Sequence, residues 1–337
     1  MHKILVTGGA GYIGSHTIVE LVSAGYRPVI IDNYSNSDKK VLEKLKIITG
    51  QEIIAYDADC SNQVALRKIF TEHKISGVIH FAAYKAVGES VDKPLKYYDN
   101  NLVSLIRLLE MMTEFKVKNF VFSSSCTVYG QPDKLPVAED APVQQANSPY
   151  GYTKQVSEQI IMDVINSGTD IHAVLLRYFN PIGAHPSALI GELPLGVPNN
   201  LVPFITQTAA GLRKELTVFG DDYNTLDGTC IRDYIHVSDL ANAHVKAFEW
   251  IENTGQPLGI FNIGTGQGAS VLDVIKSLEK ESGKKLNYTI GPRRPGDVEQ
   301  IWANADKSNR ELGWKVKYSL DDAMLHAWKW QMSMNNK

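Results

Sequence analysis

The sequence predicts a doubly wound α/β fold, a parallel sheet covered by helices on both faces, followed by a smaller C-terminal domain. Three observations predict it. Short runs of consecutive apolar residues alternate with longer stretches of helical periodicity through the first half of the chain. A glycine-rich turn joins the first run to the first helical stretch, and from Asn180-Pro181 onward prolines and glycines break the pattern.

The predicted strands are 3–7, 28–32, 52–56, 78–81, 119–123 and 173–177, each bounded by Gly, Asp, Asn or Ser. Their apolar residues are consecutive rather than alternate, as in strands buried on both faces. Helical periodicity fills 12–24, 38–48, 62–73, 96–115 and 150–165. Strand–helix–strand units repeated in this way give a parallel sheet with right-handed crossovers. Pro181, Pro186, Pro194, Pro198 and Pro203 then predict loops, and helices resume at 200–211, 237–250 and 270–282. The expected division is 1–180 for the sheet domain, with elements at about 233–262 returning to it, and 181–337 for a mainly substrate-binding domain.

Composition narrows the function. The chain has 337 residues, 44% hydrophobic and 21% charged, with a net charge of -3, so no basic excess points to nucleic acid or anionic lipid. Cys60, Cys126 and Cys230 lie far apart with no C-x-x-C pair, which argues against a disulfide framework or a structural zinc. No apolar run reaches the roughly 18 residues that span a bilayer. The run Ile4–Val6 is too short for a signal-peptide core, so the mature chain is expected to start at Met1 and stay in the cytoplasm. The nine histidines form no H-x-x-x-H or H-x-H cluster, and no metal is expected; His80 reads as a packed residue.

Thr7-Gly8-Gly9-Ala10-Gly11-Tyr12-Ile13-Gly14 satisfies both G-x-G-x-x-G and G-x-x-G-x-x-G between a strand and a helix. Residues without Cβ let the backbone turn tightly and approach a pyrophosphate at the helix N-terminus, as in a Rossmann dinucleotide site. Asp32 ends the second strand, where a carboxylate accepts hydrogen bonds from an adenosine ribose and repels a 2′-phosphate. NAD is thus favoured over NADP. Asp59, ending the third strand, is expected beside the adenine.

A second constellation follows the fifth strand. Ser123-Ser124-Ser125-Cys126-Thr127-Val128-Tyr129-Gly130 precedes Tyr150-Gly151-Tyr152-Thr153-Lys154, and Tyr150 and Lys154 share one helix face. A tyrosine with a free pKa of about 10 is a poor base, but a nearby ammonium and a cationic nicotinamide favour the phenolate. Ser125 is then placed to hydrogen-bond a substrate oxygen.

With these motifs the chain resembles the extended short-chain dehydrogenase/reductases, and among them the UDP-glucose 4-epimerase family. The resemblance also rests on His80-Phe81-Ala82-Ala83-Tyr84-Lys85-Ala86-Val87-Gly88-Glu89-Ser90, Tyr97-Tyr98-Asp99-Asn100-Asn101, Leu176-Arg177-Tyr178-Phe179-Asn180-Pro181, Pro198-Asn199-Asn200-Leu201, Arg232-Asp233-Tyr234-Ile235-His236 and Arg293-Arg294-Pro295-Gly296-Asp297, and covers roughly residues 3–330. It implies a tightly held NAD, interconversion of UDP-glucose and UDP-galactose through a 4-keto sugar, and a homodimer through the helix at 96–115 and the one beginning near Tyr150. It implies Tyr150, Ser125 and Lys154 as catalytic. Gly8, Gly11, Tyr12, Ile13, Gly14, Asp32, Asn33, Asn36, Ser37, Asp59, Cys60, Phe81, Ala82, Ala83, Lys85, Asn100 and Phe179 would contact NAD together with the catalytic three. Substrate contacts implied besides Ser125 and Tyr150 are Asn180, Asn200, Leu201, Thr217, Phe219 against uracil, Arg232 and Arg294 on the diphosphate, Asp297 on the ribose, and Ile301. Without the family, Phe219 reads as a core aromatic and Arg293/Arg294 as a solvated charge pair.

Related chemistries lack their groups here. The 4,6-dehydratases resembling this chain place an acidic pair where Cys126 and Thr127 stand, and the decarboxylating relatives a Glu. A non-catalytic NAD sensor has no use for a complete Ser, Tyr and Lys set, and an ordinary dehydrogenase would exchange its cofactor with solution. Ile301 occupies the position at which the family sets room beside the sugar 2-substituent, and its intermediate bulk predicts poor or partial use of N-acetylhexosamines.

Overall fold

In the computed structural model the described residues are 2–294 and 297–335; Pro295 and Gly296 of the Arg-Arg-Pro-Gly-Asp string lie outside them. β1 (Lys3–Thr7), β2 (Arg27–Asp32), β3 (Ile54–Asp57), β4 (Ile75–His80), β5 (Asn119–Ser123) and β6 (His172–Tyr178) join the strand Leu258–Ile263 in a seven-stranded sheet among the described residues. The order is Leu258–Ile263, β6, β5, β4, β1, β2, β3, and every pairing is parallel. The chain runs outward from β1 in both directions, so a crevice opens at the carboxyl ends of β1 and β4, where such sheets bind ligands.

Alternate strand residues feed two separate cores. Ile4, Val6, Ile30, Ile79, Val121 and Val174 pack with Ile18 and Leu21 of α1 (Tyr12–Ser23), Leu45 of α2 (Val41–Thr49), and Leu240, Phe248 and Ile251 of the helix Val237–Thr254. Leu5, Val29, Ile31, Val78, Phe120 and Leu175 face the other way, onto Leu66, Ile69 and Phe70 of α3 (Gln63–Glu72), with Leu105, Leu108, Met112 and Ile161. Both faces are therefore covered, and the continuous apolar runs of the sequence have this cause.

Several bounds differ from the sequence reading for local reasons. β4 begins at Ile75 rather than 78, because Ser76-Gly77 continues the strand instead of turning. A Cβ on Gly77 would lie 2.2 Å from Cε2 of Phe248, so the glycine admits that ring against the strand. The stretch 96–115 is not one regular helix: Pro94–Tyr98 and Ser104–Glu114 are α-helical, and Asp99–Val103 is a π-turn between them. Pro203 breaks nothing, since it lies in the first turn of the helix Leu201–Ala209, where its missing N–H has no intrahelical partner to lose.

The remaining chain builds a third cluster. Ile182, Val202, Ile205, Leu216, Val218, Tyr234, Val274, Leu278, Met324 and Ala327 pack together from the helices Leu201–Ala209, Val271–Ser282 and Leu320–Asn335 and the short strands between. The helix Leu320–Asn335 escapes sequence reading because its buried face is Ala323, Met324, Ala327 and Gln331, small or polar residues with little periodic signal.

His16, His80, His236 and His244 are buried, and burial pushes the first three down to about 3 and His244 to about 4. His80 is packed: Nδ1 lies 2.7 Å from Thr7 Oγ1 and the ring stacks on Phe122. The unfolded imidazoles bind protons near pH 6.5 and the folded ones do not, so their contribution is present above that pH and is lost as pH falls toward 4. Thermal melts should show a falling Tm between pH 7 and pH 5, with each histidine costing on the order of 2 kcal/mol by pH 5. A flat Tm over that interval contradicts their neutral burial.

Candidate active site

The glycine turn is shaped by backbone contact. Gly8 has φ +67, and a Cβ on Gly14 would lie 2.2 Å from the carbonyl oxygen of Gly8 and 2.8 Å from Cα of Gly9. No side chain other than hydrogen fits at Gly14, and the first turn of α1 therefore seats directly on the loop. Gly11 is the N-cap and offers no side chain, so the leading amides of α1, with Tyr12 and Ile13, keep the helix end open to an anion. Tyr12 itself is anchored outward, its hydroxyl donating to the Gly183 carbonyl at 2.7 Å.

Asp32 is set beneath this turn. Its carboxylate accepts from the Ala10 amide at 3.0 Å, the Tyr34 amide at 2.9 Å and the Ser37 hydroxyl at 3.0 Å. Asn33 donates to Asp59 at 2.7 Å; burial raises the Asp59 carboxyl, but bonds from Ser61 and Asn33 outweigh it and the net direction is down. Asn33 and Asn36 are exposed on the rim, and Cys60 is buried with its thiol pushed up to about 12 by burial. The loop after β4 closes the other side: Phe81 and Ala82 amides donate to the Thr7 carbonyl at 3.1 Å and its hydroxyl at 3.2 Å, and Ala83 follows, half-buried. Thus Gly8, Gly11, Gly14, Asp32, Phe81 and Ala82 form one cradle.

The catalytic candidates meet at the carboxyl end of β5. Ser125 caps the short turn Cys126–Tyr129, its oxygen accepting from the Thr127 amide at 3.2 Å. Tyr150 stands in the first turn of the helix Pro149–Asn166, whose N-cap Ser148 accepts from Gly151 at 3.1 Å. Lys154 is only 5% exposed; its ammonium donates to the Ser123 carbonyl at 2.7 Å and lies 6.0 Å from the centre of the Tyr150 ring. Burial pushes Lys154 down to about 8, against the pull of Glu158. Burial also raises the Tyr150 phenol above 10, with Tyr178 adding to the rise and the hydrogen bond from Ser125 opposing it. Burial, which disfavours the phenolate, sets the direction of that rise, and the Lys154 ammonium stands 6.0 Å from the ring centre.

The substrate-side residues fall into two groups. Arg294 donates to Asp297 at 2.7 Å, Arg232 approaches the same carboxylate at 3.6 Å, and the Arg294 guanidinium lies 5.9 Å from the ring centre of Phe219. Phe219 is 45% exposed at the end of the strand Leu216–Phe219, which carries Thr217, so it is not the core aromatic its sequence context suggests. Arg293 does behave as a solvated charge, paired with Asp222. Ile301 pairs in register with Arg232 and is buried against Val128, Tyr129, Val137 and Phe179. Asn180 follows Phe179 on a short strand, its amide held by the Asp233 carbonyl. In the second group, Glu192 accepts from Lys85 at 3.3 Å and from Asn200, the N-cap of the helix that Leu201 begins, at 2.5 Å.

Sequence reasoning missed the groups that hold these in place. Asn101 in the π-turn bonds both the amide and the carbonyl of Tyr84 and donates to Thr153 beside Lys154, and Asn100 donates to Asn101. Tyr178 lies 2.8 Å from the Ser123 hydroxyl. Asn100, Asn101 and Tyr178 fall in strings that carry the family resemblance, but these bonds depend on partners distant in sequence, which no string names.

Comparison with known proteins decides the family. A profile described as GDP-mannose 4,6 dehydratase matches residues 5–326. UDP-glucose 4-epimerase of Bacillus subtilis is 52% identical over 99% of this chain and 98% of its own. The chain belongs to the UDP-glucose 4-epimerase family. Arabidopsis thaliana UDP-glucose 4-epimerase 2 is 49% identical over 97% of this chain and 94% of its own length. The solved UDP-glucose-4-epimerase of Stenotrophomonas maltophila, with bound NAD and formylated UDP-arabinopyranose, superposes with a TM-score of 0.97 at 48% identity over 100% of this chain and 99% of that one. That of Bifidobacterium longum, in complex with NAD+ and UDP, gives 0.94 at 47% identity over 99% of each. In this chain Cys126 and Thr127 follow Ser125, and neither is a carboxylic acid.

Gly14→Ala should leave the sheet folded yet lose the dinucleotide, since the added methyl displaces the loop from the helix end. Nucleotide released by acid from the purified variant, read by absorbance, is expected at below about a tenth of the wild-type occupancy.

Proposed function

We propose that this chain interconverts UDP-glucose and UDP-galactose with NAD retained in the cradle at Gly8, Gly11, Gly14 and Asp32. The observation that supports it most is the burial of Tyr150 and Lys154 beside Ser125, on the strand end next to the cradle, with no acid in the following two positions. The family's NAD complexes and the fit of a pyrophosphate to the open start of α1 support the cofactor.

NAD, held by the cradle at Gly8, Gly11, Gly14 and Asp32, would supply a hydride acceptor and donor for C4 of the hexose and, when oxidised, a positive charge. Tyr150 takes the proton of the sugar 4-hydroxyl and later returns one. Ser125 holds the reacting oxygen in line. Lys154, fixed on the Ser123 carbonyl, favours the phenolate. Inversion at C4 requires the keto sugar to present its other face, so binding should concentrate on uridine diphosphate and stay weak on the hexose. Arg232 and Arg294 supply charge-assisted bonds for the diphosphate, Phe219 a face for uracil and Asp297 an acceptor for the ribose. Asn180 and Asn200 would bond sugar or phosphate oxygens of the substrate, with Leu201 and Thr217 as further contacts. On this reading residues 1–180, with about 233–262, hold the cofactor and the rest mainly holds the substrate.

A homodimer through the stretch 94–114 and the helix Pro149–Asn166 accounts for Leu95 and Tyr152, apolar surfaces 80% and 50% exposed. Among the described residues no helix is long and apolar enough to cross a membrane, and the proposed compartment is the cytoplasm.

Purified protein should convert UDP-galactose to UDP-glucose in a coupled assay without added nicotinamide, and Tyr150→Phe should lower kcat by about 10²–10⁴-fold. Unchanged activity in that variant removes Tyr150 from its role, and consumption of added cofactor in stoichiometric amounts identifies a dehydrogenase instead. Turnover of UDP-GlcNAc should trail that of UDP-glucose, and Ile301→Tyr should widen the gap by about tenfold, measured as the kcat/KM ratio. Equal turnover in the wild type overturns the place given to Ile301.

A further inference from the structure

Behind the serine strand end lies a buried ion pair that the chemistry above does not use. Glu158 stands one turn beyond Lys154 on the helix Pro149–Asn166, and Arg177 lies on β6. Arg177 Nη2 is 2.6 Å from Glu158 Oε2 and Nε is 2.9 Å from Oε1, a two-point bond between two buried side chains. Ser124 Oγ donates to the same Oε1 at 2.5 Å.

The helix thereby grips two successive residues of the strand end. Lys154 holds the Ser123 carbonyl and, four residues on, Glu158 holds the Ser124 hydroxyl. The next residue is Ser125, whose hydroxyl must meet Tyr150 on the first turn of the same helix. Arg177 is fully engaged, with Nη1 donating to the Tyr129 hydroxyl at 3.1 Å and the Glu139 carbonyl at 3.3 Å. Apolar residues of like volume often stabilise a core as well as a buried ion pair does, so stability alone is a weak reason to keep one here.

We propose that Glu158, clamped by Arg177, is a positioning residue for the epimerase site: through Ser124 it fixes Ser125 against Tyr150, and it supplies the negative charge that faces the Lys154 ammonium. The other titratable groups around Lys154 are Tyr150 on its own helix, His80 on β4 and Tyr178 on β6. Burial leaves His80 neutral, and burial raises both tyrosines. Of these four, Glu158 is the one that opposes the loss of the lysine proton.

The inference rests on the epimerase reading, and Glu158→Gln tests it. Glutamine keeps the shape and an oxygen for Ser124 and removes the charge. At pH 8 kcat should fall about tenfold while KM for UDP-galactose stays within about twofold, because Glu158 bonds Arg177 and Ser124 and none of the residues assigned to uridine diphosphate. With the carboxylate gone Lys154 gives up its proton at lower pH, so the alkaline limb of the kcat profile should move down by about one unit. A profile superposable on the wild type overturns the inference, as does a KM rise with kcat unchanged. If Glu158→Gln fails to fold, Ser124→Ala retains the ion pair and cuts its link to the strand end; it should lower kcat about threefold or more at unchanged KM, and wild-type kcat overturns the positioning role. A wild-type protein without epimerase activity sinks the underlying reading, whereas an active wild type with indifferent variants sinks this inference alone.

Discussion

Lys154 carries a charge into a place that water barely reaches, and the arrangement around it follows from keeping that charge there. A buried ammonium persists only where acceptors and counter-charge replace its hydration. The Ser123 carbonyl gives the acceptor at 2.7 Å, and Glu158, one turn along the helix, gives the counter-charge. Lys154 on the Ser123 carbonyl and Glu158 on the Ser124 hydroxyl tie the helix Pro149–Asn166 to the end of β5, where Tyr150 meets Ser125. The same burial that makes the ammonium effective raises the phenol it serves, so the base awaits further positive charge before it is strong.

The cradle for that further charge is built from backbone rather than side chains. Gly8 and Gly14 touch through main-chain atoms, and the loop after β4 is bonded to Thr7 at the same spot. The seven parallel strands bring these loops and the serine turn to one edge of the sheet, since parallel pairing puts all carboxyl ends on the same side. The C-terminal part of the chain then offers Arg232, Arg294, Asp297 and Phe219. A tight grip on the nucleotide and a light one on the sugar suit a reaction in which the hexose must turn over between two hydride transfers.

Much of this was legible in the chain. The runs 3–7 and 119–123 match β1 and β5 residue for residue, because each has three consecutive apolar residues between polar ends, Ile4–Val6 and Phe120–Phe122. The glycine turn, Asp32 and the Tyr150–Lys154 spacing are local patterns, and all lie where the local pattern places them. Gly77 misled the reading of β4, since the reason for the glycine is a ring from residue 248. The π-turn Asp99–Val103 was invisible, for it exists to aim Asn101 at Tyr84 and Thr153.

The sequence by itself determined the alternation of strand and helix, the family and the candidate base, because those depend on residues within a few positions of one another. Tertiary structure decided which distant groups meet: Arg177 reaching Glu158 across 19 positions, Phe219 exposed beside Arg294, and Glu192 accepting from both Lys85 and Asn200. Their meeting is set by strand order and helix packing, and desolvation, which moved Tyr150 and Lys154 in opposite directions, arises only once the chain has closed around them.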